Sequence, residues 1–488
     1  MFSHLNSVAI SSVLISSLLF SASVTAQNER YSPQQLQDDL HIAQRALEEA
    51  HGGIYRYRPK SYIDQQFKDA LLSLKQSGDA LDFYRVLKPT VASIACGHTT
   101  ALLSLHDKEA LKQELLLPFE VKVLQGRVFI FRDLSETTAT QQFAGREILS
   151  INGLEMKTIL NAMTTAMHGD GNIPTMRAIE VGRAFKEMLF TLLQMRGEFN
   201  VVLREAGSKN TEHHQFKGRS LETLKQTWSK QYPQDQDPDR FITTNFFDEG
   251  NIAYLKIDKF IAAGTGKDGA TQFKEVFETI REKASHTLVI DVRDNGGGED
   301  ALGKLLFSHL VDQPFSYYDT LTIKTDQFTM DQYAEEPIRL KAKWLEARPD
   351  GQFNFLRHPN LGTQQPSSPT FKGRVLVLIN GGSYSTTAEF LTQVHTRHRA
   401  TFIGEESGGA YYGNTSGHHM MLTLPNTKVR LVVPLMTYQL STQSNSKTKP
   451  AADRGVMPDY PVQRTIDDYL QGRDPELRLA LKLAKQTK

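Results

Sequence analysis

One segment of the chain holds a hydroxyl where nucleophilic chemistry would want it. The apolar run Val375-Leu376-Val377-Leu378-Ile379 ends in Asn380-Gly381-Gly382-Ser383-Tyr384-Ser385-Thr386-Thr387-Ala388-Glu389-Phe390, which then takes helical spacing. A serine at a strand-to-helix turn has its hydroxyl lifted from the sheet edge, and the neighbouring helix N-terminus favours developing negative charge. On this segment alone, Ser383 and Ser385 are more often helix caps. The Gly-Ser-Tyr-Ser-Thr order is also not the Gly-x-Ser-x-Gly elbow of α/β-hydrolases.

A second segment, Leu288-Val289-Ile290-Asp291-Val292-Arg293-Asp294-Asn295-Gly296-Gly297-Gly298, sets three glycines after a buried strand. Backbone N–H groups there approach a ligand closely, which suits an oxyanion hole or a phosphate cradle. Neither Walker nor dinucleotide spacing is present, so phosphate is the weaker use, and a plain tight turn stays open. Fifteen histidines offer general bases. His98 lies in the loop Cys96-Gly97-His98-Thr99, and His51 precedes Gly52-Gly53. The Glu212-His213-His214 run reads as solvated, with no metal implied. Cys96 is the only cysteine, read as a buried apolar residue, so no intramolecular disulfide is available.

These residues need elements to carry them. Ser32-Pro33 opens a first helix, with Leu36, Leu40, Ala43, Leu47 and Ala50 at helical spacing. Second and third helices follow, the third carrying Phe83, Leu87, Val91 and Ile94 up to Gly97, so residues 27–115 read as a helical domain that delivers His98. Short β-like pieces at 119–123, 127–131 and 147–151 open a β-rich module over 116–205. Residues 206–240 are polar and read as a linker. From 241 to 466, strands at 252–257, 287–291, 374–380 and 401–404 alternate with helices at 270–284, 301–311 and 387–398, which predicts an α/β domain with a largely parallel, buried sheet. Residues 312–370 interrupt it as a surface insertion, and residues 467–488 close the chain with a helix.

The 488 residues exceed one ordinary core, and 39% apolar with 23% charged residues describes a globular protein. A net charge of +1 without long single-sign runs excludes a nucleic-acid partner. The apolar stretch from Val8 to Leu19, followed by Val24-Thr25-Ala26-Gln27, reads as a signal peptide over residues 1–26. It is too short to span a bilayer, so the expectation is an exported protein, periplasmic or extracellular, with no integral membrane span after its removal.

Four blocks in order, Asp291-Val-Arg-Asp-Asn-Gly-Gly297, Ser383-Tyr-Ser385 running into Ala388-Glu389-Phe390, Gly404-Glu-Glu-Ser-Gly-Gly409 and Arg454-Gly-Val-Met-Pro-Asp459, resemble those of the tail-specific (C-terminal processing) and tricorn-core serine peptidases. Gly145-Arg-Glu-Ile-Leu-Ser-Ile-Asn-Gly153 is similar to part of the PDZ-like module of many members. The resemblance covers nearly all of the chain after residue 26. It implies a ClpP/crotonase-like catalytic domain, a PDZ-like module, a peptide or protein substrate and no cofactor or metal.

Position by position, it makes Ser385 the nucleophile, assigns the oxyanion hole to Gly296, Gly297 and the Thr386 N–H, and gives Asp291, Arg293 and Asn295 the support of that loop. The processing branch takes its base from a Lys, but Gly409-Ala410-Tyr411-Tyr412-Gly413-Asn414 stands here, with no Lys until Lys428. The tricorn-like branch uses a His, and Gly97-His98-Thr99 resembles that element, so His98 becomes the expected base, with His51 its rival. The acid that orients it is expected among Asp453, Glu405 and Glu406. Fold alone does not establish peptidase activity, because retinoid-binding proteins resemble the same fold. The alternative is therefore a non-catalytic binding protein for apolar ligands or peptide C-termini.

Overall fold

The computed structural model describes residues 29–135, 142–205, 207–233, 241–262, 268–442 and 450–486. The stretch read as a signal peptide lies outside the described residues.

The α/β half is built on a six-stranded sheet in the order Tyr460–Pro461, Thr401–Gly404, Arg374–Ile379, Thr287–Asp291, Ile252–Ile257, Ile242–Phe247. Its neighbours run parallel except the last pair. Every residue of Thr287–Asp291 is buried, and so are all of Arg374–Ile379 but the first. A strand covered on both faces has no solvent side, which is why these segments read as continuous apolar runs. On one face Leu288, Ile290, Val375 and Val377 pack against Phe273, Phe277, Phe307 and Phe390. On the other, Val289, Leu376 and Leu378 meet Ala480 and Leu483 of the C-terminal helix Pro475–Ala484. Asp291 pairs with Leu378 in register, so the glycine-rich loop and the serine turn leave adjacent strands at the same edge of the sheet.

A second six-stranded sheet was not anticipated. Arg430–Leu440 pairs with Thr100–Leu102, Tyr318–Ile323 and Thr415–Thr423, and the sheet continues through Phe353–Phe355 to Leu345–Ala347. It corrects two expectations. The 312–370 segment is more than a surface cover, because Tyr317 and Tyr318 are fully buried and strand Tyr318–Ile323 joins this sheet. The N-terminal helices Pro33–Ala50, Lys60–Ser73 and Ala80–Ala92 do not close a core of their own either. Leu36, Leu40, Leu47, Phe83 and Val91 share one core with Met420, Leu422, Leu431, Val433 and Leu435 from the far end of the chain.

The β-rich module is a third sheet, in the order Phe119–Leu124, Arg127–Asp133, Glu147–Ile151, Glu198–Arg204, Thr211–Lys217, backed by helices Met156–Ala166, Pro174–Arg183 and Phe185–Leu193. Part of the expected linker therefore has regular structure. Thr211–Lys217 pairs with Glu198–Arg204 along its whole length, and Leu221–Gln231 is a helix capped by Ser220. The strand is mostly polar because it is a sheet edge with only Phe216 buried, so its pattern resembles that of a loop. His214 Nε2 lies 3.0 Å from Glu212 Oε2 on this strand.

Candidate active site

Ser385 occupies the N-cap position of helix Thr386–Thr396, yet its side chain makes no capping bond. Its backbone lies at φ 56°, ψ −126°, a conformation that costs a non-glycine residue of order 1–3 kcal/mol and persists only where the surroundings impose it. Three contacts do so. Tyr384 N donates to Asn295 O (3.0 Å), Thr387 N to Tyr384 O (3.1 Å) and Glu389 N to Ser385 O (3.0 Å). Ser383, the other candidate cap, is fully buried and donates its hydroxyl to Val292 O at 2.8 Å, tying the serine turn to the neighbouring strand.

The hydroxyl of Ser385 meets His98, whose Nε2 is 3.1 Å from Oγ across 287 positions of sequence. The loop that holds His98 is fastened on both sides. Ala95, at φ 61°, accepts from Gly171 N at 2.9 Å, Gly97 N donates to the buried Asp170 Oδ1 at 2.8 Å, and Thr99 leads into the strand paired with Arg430–Leu440. His51, the rival base, is fully buried with both ring nitrogens engaged. Its Nδ1 accepts from Gly53 N at 3.0 Å and its Nε2 donates to Thr99 Oγ1 at 2.7 Å. It braces the residue after His98. Burial, followed by His419, His168 and His51, pushes the His98 imidazole below its ordinary pKa, so the ring facing Ser385 is neutral and its nitrogens are a donor and an acceptor.

None of the three expected orienting acids bonds to His98. Glu406 binds Arg454 Nε at 2.8 Å and Gly455 N at 3.0 Å, Asp453 accepts from Asn172 Nδ2, and Glu405 lines the groove between Phe119–Leu124 and Pro174–Arg183. The second ring nitrogen, Nδ1, lies instead 2.7 Å from Tyr384 Oη, and the two rings stack with centroids 4.8 Å apart. Tyr384 belongs to the same block as Ser383 and Ser385, and its one signal in the sequence is an aromatic hydroxyl next to Ser385.

The glycine-rich loop closes the other side of the serine. Gly297 sits at φ 101°, and a Cβ there would stand 2.8 Å from Ser385 Cβ and 3.0 Å from Thr386 N, so only glycine allows the approach. Its N–H is not open to a substrate, because it donates to Asn295 Oδ1 at 2.9 Å. That corrects the expected donor set. Among the described residues the N–H groups of Gly296 and Thr386 meet no acceptor, and Gly296 faces open space. Asn295 holds the loop with its other side-chain atom, Nδ2, on Ile257 O at 3.0 Å. Arg293 binds Asp291 at 2.9 Å, Asp474 at 2.7 Å and Glu476 at 3.2 Å, tying the loop to the C-terminal helix.

Lys428 lies at the turn between Thr415–Thr423 and Arg430–Leu440 and bonds Pro425 O at 2.7 Å. Among the described residues no cluster of His, Cys, Asp and Glu is arranged to hold a metal ion. Cys96 is buried and its thiol is pushed up to about 12, leaving it no nucleophile.

A strained serine at a helix N-terminus, a neutral histidine on its hydroxyl and free N–H groups beside it are the parts that acyl transfer to a serine would need. Residues 251–462 match the sequence model of Peptidase family S41. Those residues form a Peptidase family S41 domain, and the protein that carries it is a serine-type peptidase acting on peptide or protein substrates. Among solved structures it is similar to mature CPAF, with 14% identity over 93% of this chain and 97% of that one and a TM-score of 0.63, and to mature CPAF complexed with lactacystin, with 14% identity over 93% and 98% and a TM-score of 0.63. At that identity the likeness is one of fold. No curated protein matches the chain.

Proposed function

We propose that this peptidase is an exported endopeptidase working through an acyl-enzyme on Ser385, with His98 as its base, in the manner of the Ser/His rather than the Ser/Lys members of its family. The observation that carries the reading is the 3.1 Å approach of His98 Nε2 to Ser385 Oγ on a backbone held in the left-handed region. His98 takes the hydroxyl proton as Oγ attacks the peptide carbonyl, then returns it to the leaving amine. The Thr386 and Gly296 N–H groups receive the tetrahedral oxyanion, helped by the N-terminus of helix Thr386–Thr396. Water then repeats the cycle on the ester.

Hydrolysis of a quenched fluorescent peptide library by the purified protein tests this. Ser385→Ala and His98→Ala should each lose at least about a thousandfold in kcat/KM. Full activity in His98→Ala would sink the Ser/His assignment while leaving the family intact. Lactacystin, found in complex with mature CPAF, is a second probe of the same serine. Export rests on the residues from Val8 to Gln27, and N-terminal sequencing of secreted material should begin at Gln27.

A further inference from the structure

We propose that Tyr384 is the positioning residue of the base, so that a phenol stands where an orienting carboxylate was expected. This rests on the Ser385–His98 reading above. The side chain engages His98 twice, edge-on through the 2.7 Å contact of Oη with Nδ1 and face-on through the ring stack at 28° between planes. Each contact alone would leave the imidazole a free rotation; together they fix its position and its tilt. Because Tyr384 is also the residue before Ser385, and its N–H and C=O are bound to Asn295 and Thr387, the nucleophile and the group that aims its base move as one rigid turn.

The chain makes room for this arrangement. A Cβ on Gly97, directly before the base, would stand 2.2 Å from Tyr384 Oη and 2.7 Å from Cζ. The buried carboxylate against that loop is otherwise engaged, since Asp170 receives Gly97 N at 2.8 Å and Ala410 N at 3.4 Å. Burial holds the Tyr384 phenol well above its ordinary pKa, so it works as a neutral hydroxyl.

A hydroxyl differs from a carboxylate in one chemical respect: it both donates and accepts. For catalysis Nε2 must present a lone pair to Ser385, so Nδ1 carries the proton and donates it to Tyr384 Oη. When Ser385 attacks, its proton passes to Nε2, the imidazolium keeps its Nδ1–H on the phenol oxygen, and Tyr384 loses nothing. The same hydroxyl turned round donates to Nδ1 and leaves Nε2–H pointing at Ser385, a resting tautomer that cannot accept the proton. Tyr384 thus supports a productive and an unproductive state, where a carboxylate would enforce the first.

The test is Tyr384→Phe, which keeps the ring and removes the hydroxyl. We expect kcat and the rate of labelling by a fluorophosphonate to fall roughly 10- to 100-fold with KM within about twofold of wild type. The His98 Nδ1 signal in ¹⁵N spectra should move, with the melting temperature little changed. Turnover within about twofold of wild type and an unmoved Nδ1 signal would overturn the assignment. If Tyr384→Phe fails to fold, the wild-type spectrum decides, because a free Nδ1 shows no hydrogen-bonded shift. Loss of activity in Ser385→Ala and His98→Ala beside an active Tyr384→Phe removes only the Tyr384 role, whereas full labelling of His98→Ala removes the reading beneath it.

Discussion

At the scale of residues, the site depends on small side chains as much as on reactive ones. Gly97 is the sharpest case. Alanine there would drive its Cβ into Tyr384, and the only relief is to shift the tyrosine or the His98 loop. A displacement near 1 Å at the base costs about a hundredfold in rate, so Gly97→Ala should lower kcat by roughly that factor in steady-state peptide hydrolysis, and wild-type turnover would contradict the packing described. Much of this residue scale was legible. Ser385, the Asp291-to-Gly298 loop and the His98 loop are short blocks whose glycines and polar groups stand out against apolar flanks. The partner of His98 was not, because the expected orienters, Asp453, Glu405 and Glu406, are carboxylates engaged elsewhere in the fold, and a tyrosine beside a serine carries no local mark of that role.

At the scale of elements, a buried ion network holds the glycine-rich loop. Arg293 and Asp291 are at most 9% exposed, and the guanidinium reaches Asp474 and Glu476 on the C-terminal helix, so removing it strands buried carboxylates. Breaking such a network from one side costs about 3–5 kcal/mol. Arg293→Met should therefore lower stability by that order in urea denaturation and depress hydrolysis by unmooring the loop from Ser385; a variant as stable as wild type would show the network to be idle. The strands of the parallel sheet were readable because burial on both faces writes an unbroken apolar run. Thr415–Thr423, Arg430–Leu440 and Thr211–Lys217 were not legible in that way. Their burial is one-sided or irregular, and their pairing with distant segments leaves no local mark.

At the scale of the whole molecule, His98 and Ser385 are brought together by segments far apart in the sequence. Strand Thr100–Leu102 pairs with Arg430–Leu440, and the helices before it share a core with that sheet, so His98 reaches Ser385 only in the completed fold. No hydrophobic period reports such a meeting. The family resemblance pointed to the pair, and the second sheet supplies its physical cause.

The same buried interior makes stability depend on pH in both directions. His51 is held down to about 3 by burial, so its neutral form is favoured by the fold; that stability is present above 6.5 and is lost as pH falls towards 3, by roughly 3–5 kcal/mol. Glu389, one turn beyond Ser385, is raised to about 7 by burial and then by Asp300, and its carboxyl contacts Tyr318 Oη at 2.6 Å and Asn414 Nδ2 at 2.7 Å. Its contribution is full below 4.5 and is lost as pH rises through 7. Thermal melts from pH 4 to 9 should show Glu389→Gln losing less stability than wild type on the alkaline side, while its acid limb, to which the buried His51, His98 and His168 all contribute, stays. Superimposable curves would contradict this.

The central claim, an acyl-enzyme on Ser385 driven by His98, is tested most directly by intact-mass and peptide-mapping spectrometry after exposure of the purified protein to a fluorophosphonate. The account predicts a single adduct, mapped to the peptide containing Ser385, absent from Ser385→Ala and formed at least about a hundredfold more slowly in His98→Ala. An adduct on another residue, or equal rates in wild type and His98→Ala, would contradict it.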